Sequence, residues 1–256
     1  MPPAIQFRDV SFRVPQGRLL LDAISFTVGE ASTTAILGRS GSGKTTLLRT
    51  VNRMVEATSG EVLIDRGSVR EADLITLRRG IGYVIQETGL FPHFSIARNV
   101  SVVLEAQGRS KEERLRRARE LLSAVGLDPE SFATRMPHQL SGGQRQRVGL
   151  ARALAAEPGI LLMDEPFGAL DPLTRAEMQD MLRSLLARLN KTVLLVTHDL
   201  DEALYLADRI VLLEQGRLVA NLTPDEFLRS SAPEIISYIR AFHRGERLAA
   251  RNGGPA

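Results

Sequence analysis

The segment TTAILGRSGSGKTTLLRTV occupies residues 33–51 and decides the fold. Residues 33–37 form an apolar and β-branched run that predicts a buried strand, and a Gly/Ser-rich loop follows it. A helix is expected to begin at residues 44–46, because the apolar residues of TLLRTV recur at helical spacing. A strand that leads through a glycine loop into a helix is the start of an α/β unit.

The rest of the chain continues the α/β pattern on both sides of this segment. Further strands are predicted at residues 5–12, 19–28, 60–65, 81–86, 160–163 and 192–197. Helices are predicted over much of 95–156 and at 174–189 and 200–207, and residues 209–214 and 217–221 predict a closing hairpin turned at Gly216. Strands that alternate with helices imply a parallel sheet with crossover helices on both faces.

Composition favours one soluble folding unit with subdomains. The 256 residues are 43% hydrophobic and 25% charged, which is ordinary for a globular protein with a sizeable core. A net charge of +3 is too small to indicate nucleic acid as a partner, and the absence of cysteine excludes disulfides and thiolate metal sites. The start, MPPAIQFRDV, does not resemble a signal peptide, and no stretch reaches the roughly 18 apolar residues of a membrane span. Membrane association is therefore expected only through a partner.

The loop GRSGSGKT at residues 38–45 matches the phosphate-binding pattern G-x-x-x-x-G-K-[ST] between a strand and a helix. Glycines allow backbone N–H groups to point at phosphate oxygens, and the helix adds its positive N-terminus. Lys44 is predicted to reach the β- and γ-phosphates, and Thr45 to offer its hydroxyl to Mg²⁺. The alternative is a Gly/Ser-rich surface loop before an ordinary helix. The predicted ATP-binding residues here are Gly38, Arg39, Ser40, Gly41, Ser42, Gly43, Lys44, Thr45 and Thr46.

A second acidic element, ILLMDE at residues 160–165, places two carboxylates at the end of a buried strand. Asp164 is predicted to hold Mg²⁺ through its water shell. Glu165 is predicted to act as the general base for an attacking water. Paired acids after a strand are otherwise exposed turn residues, and the phosphate-binding pattern upstream favours the metal-and-base interpretation.

Residues 140–144 read LSGGQ and precede RQRVGLARAL, an order that resembles the ATP-binding cassette (ABC) family. Ser141 and the glycines after it begin a helix whose N-terminus presents free N–H groups and a hydroxyl to an anion. A local alternative is that Ser141 is only the N-cap of a core helix. In the family, this helix of one subunit caps the γ-phosphate held by the other. The resemblance therefore implies that Ser141, Gly142, Gly143 and Gln144 bind ATP across a head-to-tail homodimer.

The resemblance also assigns three single residues. Gln86 resembles the glutamine that senses Mg²⁺ and water near the permease contact, and Asp171 in GALD resembles the aspartate at the dimer interface. His198 resembles the histidine that contacts the γ-phosphate. Taken alone, His198 would be a strand-end histidine hydrogen-bonded to the backbone. The predicted catalytic residues are Glu165, Gln86 and His198. The predicted metal-binding residues are Thr45, Gln86 and Asp164.

The predicted base contact departs from the family pattern. An aromatic residue early in the chain usually stacks on adenine, and its expected place is held by Val14. Phe12 is expected on the same strand face and is the substitute, while Val14 is the aliphatic alternative. Arg39 stands where the family often has proline.

The resemblance implies a P-loop NTPase (RecA-like) α/β core with an antiparallel β subdomain and a helical subdomain. The expected boundaries are 1–222 for the ATP-binding domain, with the helical subdomain at about 90–158, and 223–256 for a short helical tail. Its last residues, RNGGPA, are expected to be disordered.

In function, the chain resembles the ATPases of osmoprotectant importers for glycine betaine, choline or carnitine, which lie at the cytoplasmic face of the cell membrane. The segments that carry this likeness are IGYVIQETGLFPH, DEPFGALDPLTR and VTHDLDEALYLADRI. The implied partners are a second copy, two permease subunits and, indirectly, an extracytoplasmic solute-binding protein. The alternatives are a methionine or polar amino-acid importer and a soluble ABC ATPase that works without a permease.

Overall fold

The computed structural model describes the backbone of residues 3–15 and 17–252 and the side chains of residues 4–15 and 17–242. The strands are β1 (Pro3–Arg13), β2 (Leu19–Gly29), β3 (Thr33–Leu37), β4 (Ser59–Ile64), β5 (Gly67–Ser68), β6 (Ile81–Val84), β7 (Ile160–Asp164), β8 (Thr192–Thr197), β9 (Arg209–Glu214) and β10 (Arg217–Leu222). The helices are α1 (Lys44–Val51), α2 (Leu74–Arg79), α3 (Ile96–Ala106), α4 (Lys111–Ala124), α5 (Pro129–Phe132), α6 (Gly142–Leu154), α7 (Pro172–Leu189), α8 (Leu200–Leu206), α9 (Pro224–Arg229) and α10 (Pro233–Asn252), with a 3-10 turn at Pro137–Gln139.

A six-stranded sheet in the order β10-β9-β3-β8-β7-β6 forms the centre of the molecule. Five strands run parallel, and β10 pairs antiparallel with β9 as the predicted hairpin. Every residue of β3, β7 and β8 is buried, which explains their unbroken apolar runs. Because the strands are parallel, the loops that follow β3, β6, β7 and β8 meet at one edge of the sheet.

Two smaller units flank this sheet. Strands β2-β1-β4-β5 form an antiparallel sheet, and its core includes the stacked rings of Phe7 and Phe26, 4.5 Å between centroids. Helices α3, α4 and α6 bury one face each in a common cluster that includes Ile96, Leu122 and Val148. The predicted α/β core with an antiparallel β subdomain and a helical subdomain is confirmed.

Three elements differ from the prediction. Helix α2 was not predicted because its six residues are too few to show a helical repeat; its Asp73 cap accepts a hydrogen bond from the Thr76 N–H. Strand β5 has only two residues. Helix α10 has twenty residues where a short helix was expected, and it includes Arg251 and Asn252 of the segment expected to be disordered. The rest of that segment, 253–256, lies outside the described residues.

Candidate functional site

The phosphate loop (residues 38–45) joins the end of β3 to the start of α1. Gly43 is the N-cap of α1, with φ of 101°, and no side chain caps this helix end. The first-turn N–H groups of α1 therefore remain available to an anion. Arg39 and Ser40 are exposed, and Thr46 is half-buried in the first turn of the helix. The predicted phosphate-binding residues thus form one strand-loop-helix cradle.

The Lys44 ammonium lies inside this loop. Its Nζ donates hydrogen bonds to the carbonyl oxygens of Gly38, at 2.8 Å, and Arg39, at 3.0 Å. Burial lowers the pKa of Lys44, while the nearby carboxylates of Glu165 and Asp164 act in the opposite direction. The hydroxyl of Ser42 is buried without a hydrogen-bond partner among the described residues. A buried cation and an unpartnered hydroxyl in one loop fit a group with several acceptor oxygens, such as a phosphate.

Gly38 leaves no room for a side chain. A Cβ at this position would lie 2.3 Å from the Leu213 carbonyl oxygen and 2.7 Å from Ser42 Oγ. We expect Gly38→Ala to lower the free energy of unfolding by more than about 3 kcal/mol, since the clash involves backbone. The control is Gly41→Ala. A Cβ at Gly41 would meet no atom within 4 Å, so only the left-handed backbone, with φ of 78°, should lower the free energy of unfolding, by about 1 to 2 kcal/mol. Urea unfolding of the two variants measures the difference, and equal losses would contradict the packing argument.

Thr45 and Asp164 face each other across the loop. The Thr45 hydroxyl donates a hydrogen bond of 2.8 Å to Asp164 Oδ1, although the two residues are 119 positions apart in sequence. Asp164 is almost fully buried at the end of β7. Hydroxyl and carboxylate oxygens are ligands that Mg²⁺ accepts, directly or through water. Thr45 and Asp164 therefore lie together, as expected if they bind a metal through a hydroxyl and a carboxylate.

Two residues that sequence reasoning missed hold the second oxygen of Asp164. The Tyr83 hydroxyl donates to Asp164 Oδ2 at 3.3 Å, and an Arg49 nitrogen lies 3.6 Å from the same oxygen. Arg49 Nε also donates to the Tyr83 hydroxyl oxygen at 3.3 Å. The sequence carried one signal for this contact, because Arg49 follows Thr45 by four residues and so lies on the same face of α1. These contacts fix the carboxylate that faces the phosphate loop.

Glu165, Gln86 and His198 meet at the same edge of the sheet. Gln86 Nε2 donates to Glu165 Oε2 at 3.3 Å, and His198 Nδ1 lies 3.3 Å from that same oxygen. The three residues come from the loops after β6, β7 and β8, which are neighbours in the sheet. Strand order therefore brings the predicted catalytic set together within one protomer.

The backbone of Glu165 is held in an uncommon conformation. Its φ is 46°, in the left-handed region that residues with a side chain rarely adopt. The Glu165 N–H donates to the Val196 carbonyl at 2.9 Å, which anchors the turn to β8. Such strain persists where the surrounding structure enforces it, and it is concentrated at functional sites.

The signature turn (residues 140–144) forms a complete capping box. Ser141 Oγ accepts from the Gln144 N–H at 3.3 Å, and Gln144 Oε1 accepts from the Ser141 N–H at 3.0 Å. The turn is exposed at Ser141 and Gly142, whereas Gly143 is buried. Among the described residues, no hydrogen bond or ion pair joins it to the phosphate loop. The capping role of Ser141 is real, and it leaves the outward face of the turn open.

Asp171 lies next to the signature turn. Its carboxylate caps α7 by accepting from the Thr174 N–H at 3.1 Å, and hydrogen bonds to Thr174 lower the pKa of the carboxyl. A Cβ on Gly143 would lie 2.4 Å from the Thr174 side chain, so the two turns are in contact. The residues predicted at the dimer interface therefore form one continuous surface.

The two candidates for the adenine contact differ from expectation. Strand β1 ends at Arg13 and its pairing with β2 shifts on both sides of Phe12, so the predicted alternation does not carry through to Val14. Val14 instead lies in a turn, where its N–H donates to the Arg18 carbonyl. Phe12 is partly buried against the core of the β subdomain. The expectation of one shared strand face was wrong, and the adenine contact of either residue remains a prediction.

A buried carboxyl lies directly behind His198. Glu202 accepts a hydrogen bond from the Thr197 hydroxyl, and Arg175 Nε lies 4.0 Å from it. Burial raises the pKa of Glu202 to about 7, and the Asp199 carboxylate acts in the same direction. Between about pH 4.5 and pH 7, the folded chain therefore keeps a proton on Glu202 that the unfolded chain, whose carboxyl has the ordinary pKa of 4.5, has released.

Glu202 predicts a loss of stability as pH rises. Its contribution is fully present below about pH 4.5 and is lost as pH rises towards the folded pKa of about 7. The loss is on the order of 3 kcal/mol, since each pKa unit corresponds to about 1.4 kcal/mol. We expect Glu202→Gln to flatten the free energy of unfolding over this pH range, measured by urea unfolding. The exposed control Glu177→Gln should keep the wild-type slope, and a Glu202→Gln curve as steep as wild type would contradict the assignment.

In the described part of the chain, no helix is long and apolar enough to cross a bilayer. A family model described as ABC transporter matches residues 21–168. The glycine betaine/carnitine/choline transport ATP-binding protein OpuCA of Bacillus subtilis (strain 168) is 47% identical over 244 residues, covering 95% of this chain and 63% of that protein. The glycine betaine uptake system ATP-binding protein YehX of Escherichia coli (strain K12) is 42% identical over 247 residues, covering 96% of this chain and 79% of that protein.

A solved dimeric structure of the ATP-binding cassette MJ0796, in a post-hydrolysis state bound to ADP and Pi, has the same fold. It matches with a TM-score of 0.76 and 34% identity, covering 86% of this chain and 98% of that one. This chain therefore spans nearly the whole of that cassette, but only 63% of the length of the Bacillus relative.

Proposed function

This chain belongs to the ABC transporter family, and we propose that it is the ATP-hydrolysing subunit of a solute importer. The observation that carries this proposal is the meeting of Gln86, Glu165 and His198 at one oxygen, beside the phosphate loop. A carboxylate that two side chains orient next to a phosphate-binding loop is suited to activate water for phosphoryl transfer.

The phosphate loop and β7 supply the binding groups for ATP with Mg²⁺. The free N–H groups at the start of α1 and the Lys44 ammonium neutralise the phosphate oxygens, for which Lys44 exchanges its present carbonyl partners. Thr45 would hold Mg²⁺ by its hydroxyl, and Asp164 and Gln86 would hold it through water. When bound, Mg²⁺ would neutralise the negative charge that develops on the phosphates during transfer.

Glu165 acts as the general base. Its two partners among the described residues both bind Oε2, which leaves Oε1 to accept the proton of the attacking water. The resulting hydroxide oxygen bonds to the γ-phosphorus as the bond to the ADP oxygen breaks. His198 contacts the γ-phosphate and, with Gln86, keeps the carboxylate in place, so the reacting groups stay aligned.

The catalytic unit is a head-to-tail homodimer. The signature turn has an exposed face that no described residue of the phosphate loop contacts, and the partner's phosphate loop is the group that it fits. Asp171 and Gly143, joined through Thr174, extend this interface. The cassette bound to ADP and Pi, 98% of which this chain covers, is dimeric, and this supports a dimer as the catalytic unit.

The transported solute is an osmoprotectant. The relatives named for glycine betaine, carnitine and choline support this class over methionine or polar amino acids. The chain works at the cytoplasmic face of the cell membrane, bound to two permease subunits that receive solute from an extracytoplasmic binding protein.

Two measurements test these proposals. The purified chain should release phosphate from Mg-ATP, with a specific rate that rises with protein concentration as dimers form. Deletion of its gene should abolish uptake of labelled glycine betaine or choline while sparing methionine. If only methionine uptake were lost, the substrate would be methionine and not an osmoprotectant. If the chain bound ribosomes or DNA tightly at physiological salt and bound no permease, the proposed role in transport would be wrong.

A further inference from the structure

Helix α10 packs against the elements that carry the catalytic residues. Its side chains Ile235, Ile239 and Phe242 lie in an apolar cluster with residues of β3, α8 and β9. Strand β3 leads into the phosphate loop, and α8 begins two residues after His198. The tail helix is thus fixed to both elements that carry the site.

Tyr238 extends from this helix to the main chain of the site. Its hydroxyl donates a hydrogen bond of 3.1 Å to the carbonyl oxygen of His198. Burial raises the pKa of the phenol to about 12, so it keeps its proton, and the Gly38 amide lies close enough to act in the opposite direction. The phenol therefore ties helix α10 to the main chain of the loop that carries His198.

The main chain at His198 is held from both sides. On one side the Asp199 N–H donates to Thr197 Oγ1 at 3.0 Å, and on the other Tyr238 donates to the His198 carbonyl. The imidazole itself is exposed over 59% of its side-chain surface. Few packing contacts restrain an exposed ring, so its approach to Glu165 depends on how the main chain is fixed.

A cavity of about 720 Å³ lies in front of this contact. One wall is α10, including Ser237 and Tyr238, and the other includes Ser40, Glu165 and His198. The tail helix therefore borders the space in which the γ-phosphate and the catalytic groups would meet, and a change in its position changes that space.

We propose that Tyr238 is a positioning residue for His198, through which helix α10 sets the alignment of the catalytic histidine with Glu165. The kinetic consequence rests on the proposed ATP hydrolysis. The structural consequence, the placement of the His198 imidazole, does not.

Tyr238→Phe tests the kinetic consequence, because it removes the hydroxyl and keeps the ring that packs in the cluster. We expect kcat for ATP hydrolysis to fall about three- to tenfold, which is the effect of one hydrogen bond, with KM for ATP within twofold of wild type. The matched control is Tyr205→Phe, since the Tyr205 hydroxyl bonds the Asp180 side chain away from His198. The control should retain the wild-type kcat, and thermal melting should report both variants as folded.

Histidine NMR tests the structural consequence without ATP turnover. The chain has four histidines, and the signal lost in His198→Gln identifies His198. We expect the His198 imidazole shifts to move in Tyr238→Phe and to stay in place in Tyr205→Phe, at one fixed pH. Unmoved His198 signals together with an unchanged kcat would overturn the positioning role. A wild-type chain that does not hydrolyse ATP, while the His198 signals still move, would instead overturn the proposed function.

Discussion

Glu165→Gln is expected to lower ATP hydrolysis by about 100- to 10,000-fold, the range that general-base catalysis contributes. The substitution keeps an oxygen that can accept from Gln86 or His198, so the site retains its shape. It removes the basic oxygen that takes the proton of water. Phosphate release under saturating Mg-ATP measures the loss.

The same variant should bind ATP normally. Lys44 and the phosphate loop make no hydrogen bond to Glu165 among the described residues, so the Kd for ATP should remain within about threefold of wild type. ATP that binds without being consumed should hold the dimer closed, and size-exclusion chromatography with ATP should show a dimer that accumulates. Wild-type turnover by this variant would remove the catalytic-base assignment.

Glu157→Gln is the matched control for this experiment. Glu157 also has a left-handed backbone, with φ of 55°, so any cost of placing glutamine in that conformation is shared. Its side chain is 72% exposed and pairs with Arg117 at 3.1 Å on the surface. A change in hydrolysis confined to Glu165→Gln therefore reports chemistry rather than backbone strain.

The central elements could be predicted from sequence because their patterns are unambiguous. Residues of β3 and β8 are all buried, so their apolar runs end where the strands end, and both predicted ranges match the structure. The spacing of the phosphate-binding pattern predicted the roles of Lys44 and Thr45. The motif LSGGQ and the residues after it predicted the family, which is confirmed. Strand order then brought Gln86 to Glu165, which sequence alone could suggest only by resemblance.

The missed features depend on contacts between distant residues. Tyr83 reaches Asp164 because β6 pairs with β7, a neighbour 81 positions away in sequence, and no local pattern encodes that pairing. The contact of Tyr238 with His198 likewise needs α10 to fold back on the sheet. Val14 was misplaced because register shifts interrupt the alternation of β1, and a single strand sequence does not reveal them.

Gly142→Asp is expected to abolish ATP hydrolysis without damaging the protomer. A Cβ at Gly142 would meet no atom within 4 Å, so a side chain fits. A carboxylate in the first turn of α6 is favourable to the helix, and thermal melting should be unchanged or slightly raised. ATP binding to the phosphate loop of the same chain should also be unchanged.

The loss arises only if this position faces the triphosphate of a second copy. Two unit charges about 4 Å apart near a protein surface repel by about 4 kcal/mol, which corresponds to roughly a thousandfold. We therefore expect hydrolysis to fall by about 100-fold or more and the ATP-dependent dimer to disappear. Gly142→Ala, which adds the methyl group without the charge, is the control and should keep most of the activity.

Mixing two inactive variants distinguishes a site shared between copies from one contained in a single chain. Lys44→Ala damages the phosphate loop and Gly142→Asp damages the signature turn, so in a mixed dimer both defects fall in one composite site and the other site is intact. Phosphate release by the mixture should exceed that of either variant alone. If Gly142→Asp instead hydrolyses ATP at the wild-type rate, the signature turn does not face the nucleotide, and the head-to-tail dimer cannot be the catalytic unit.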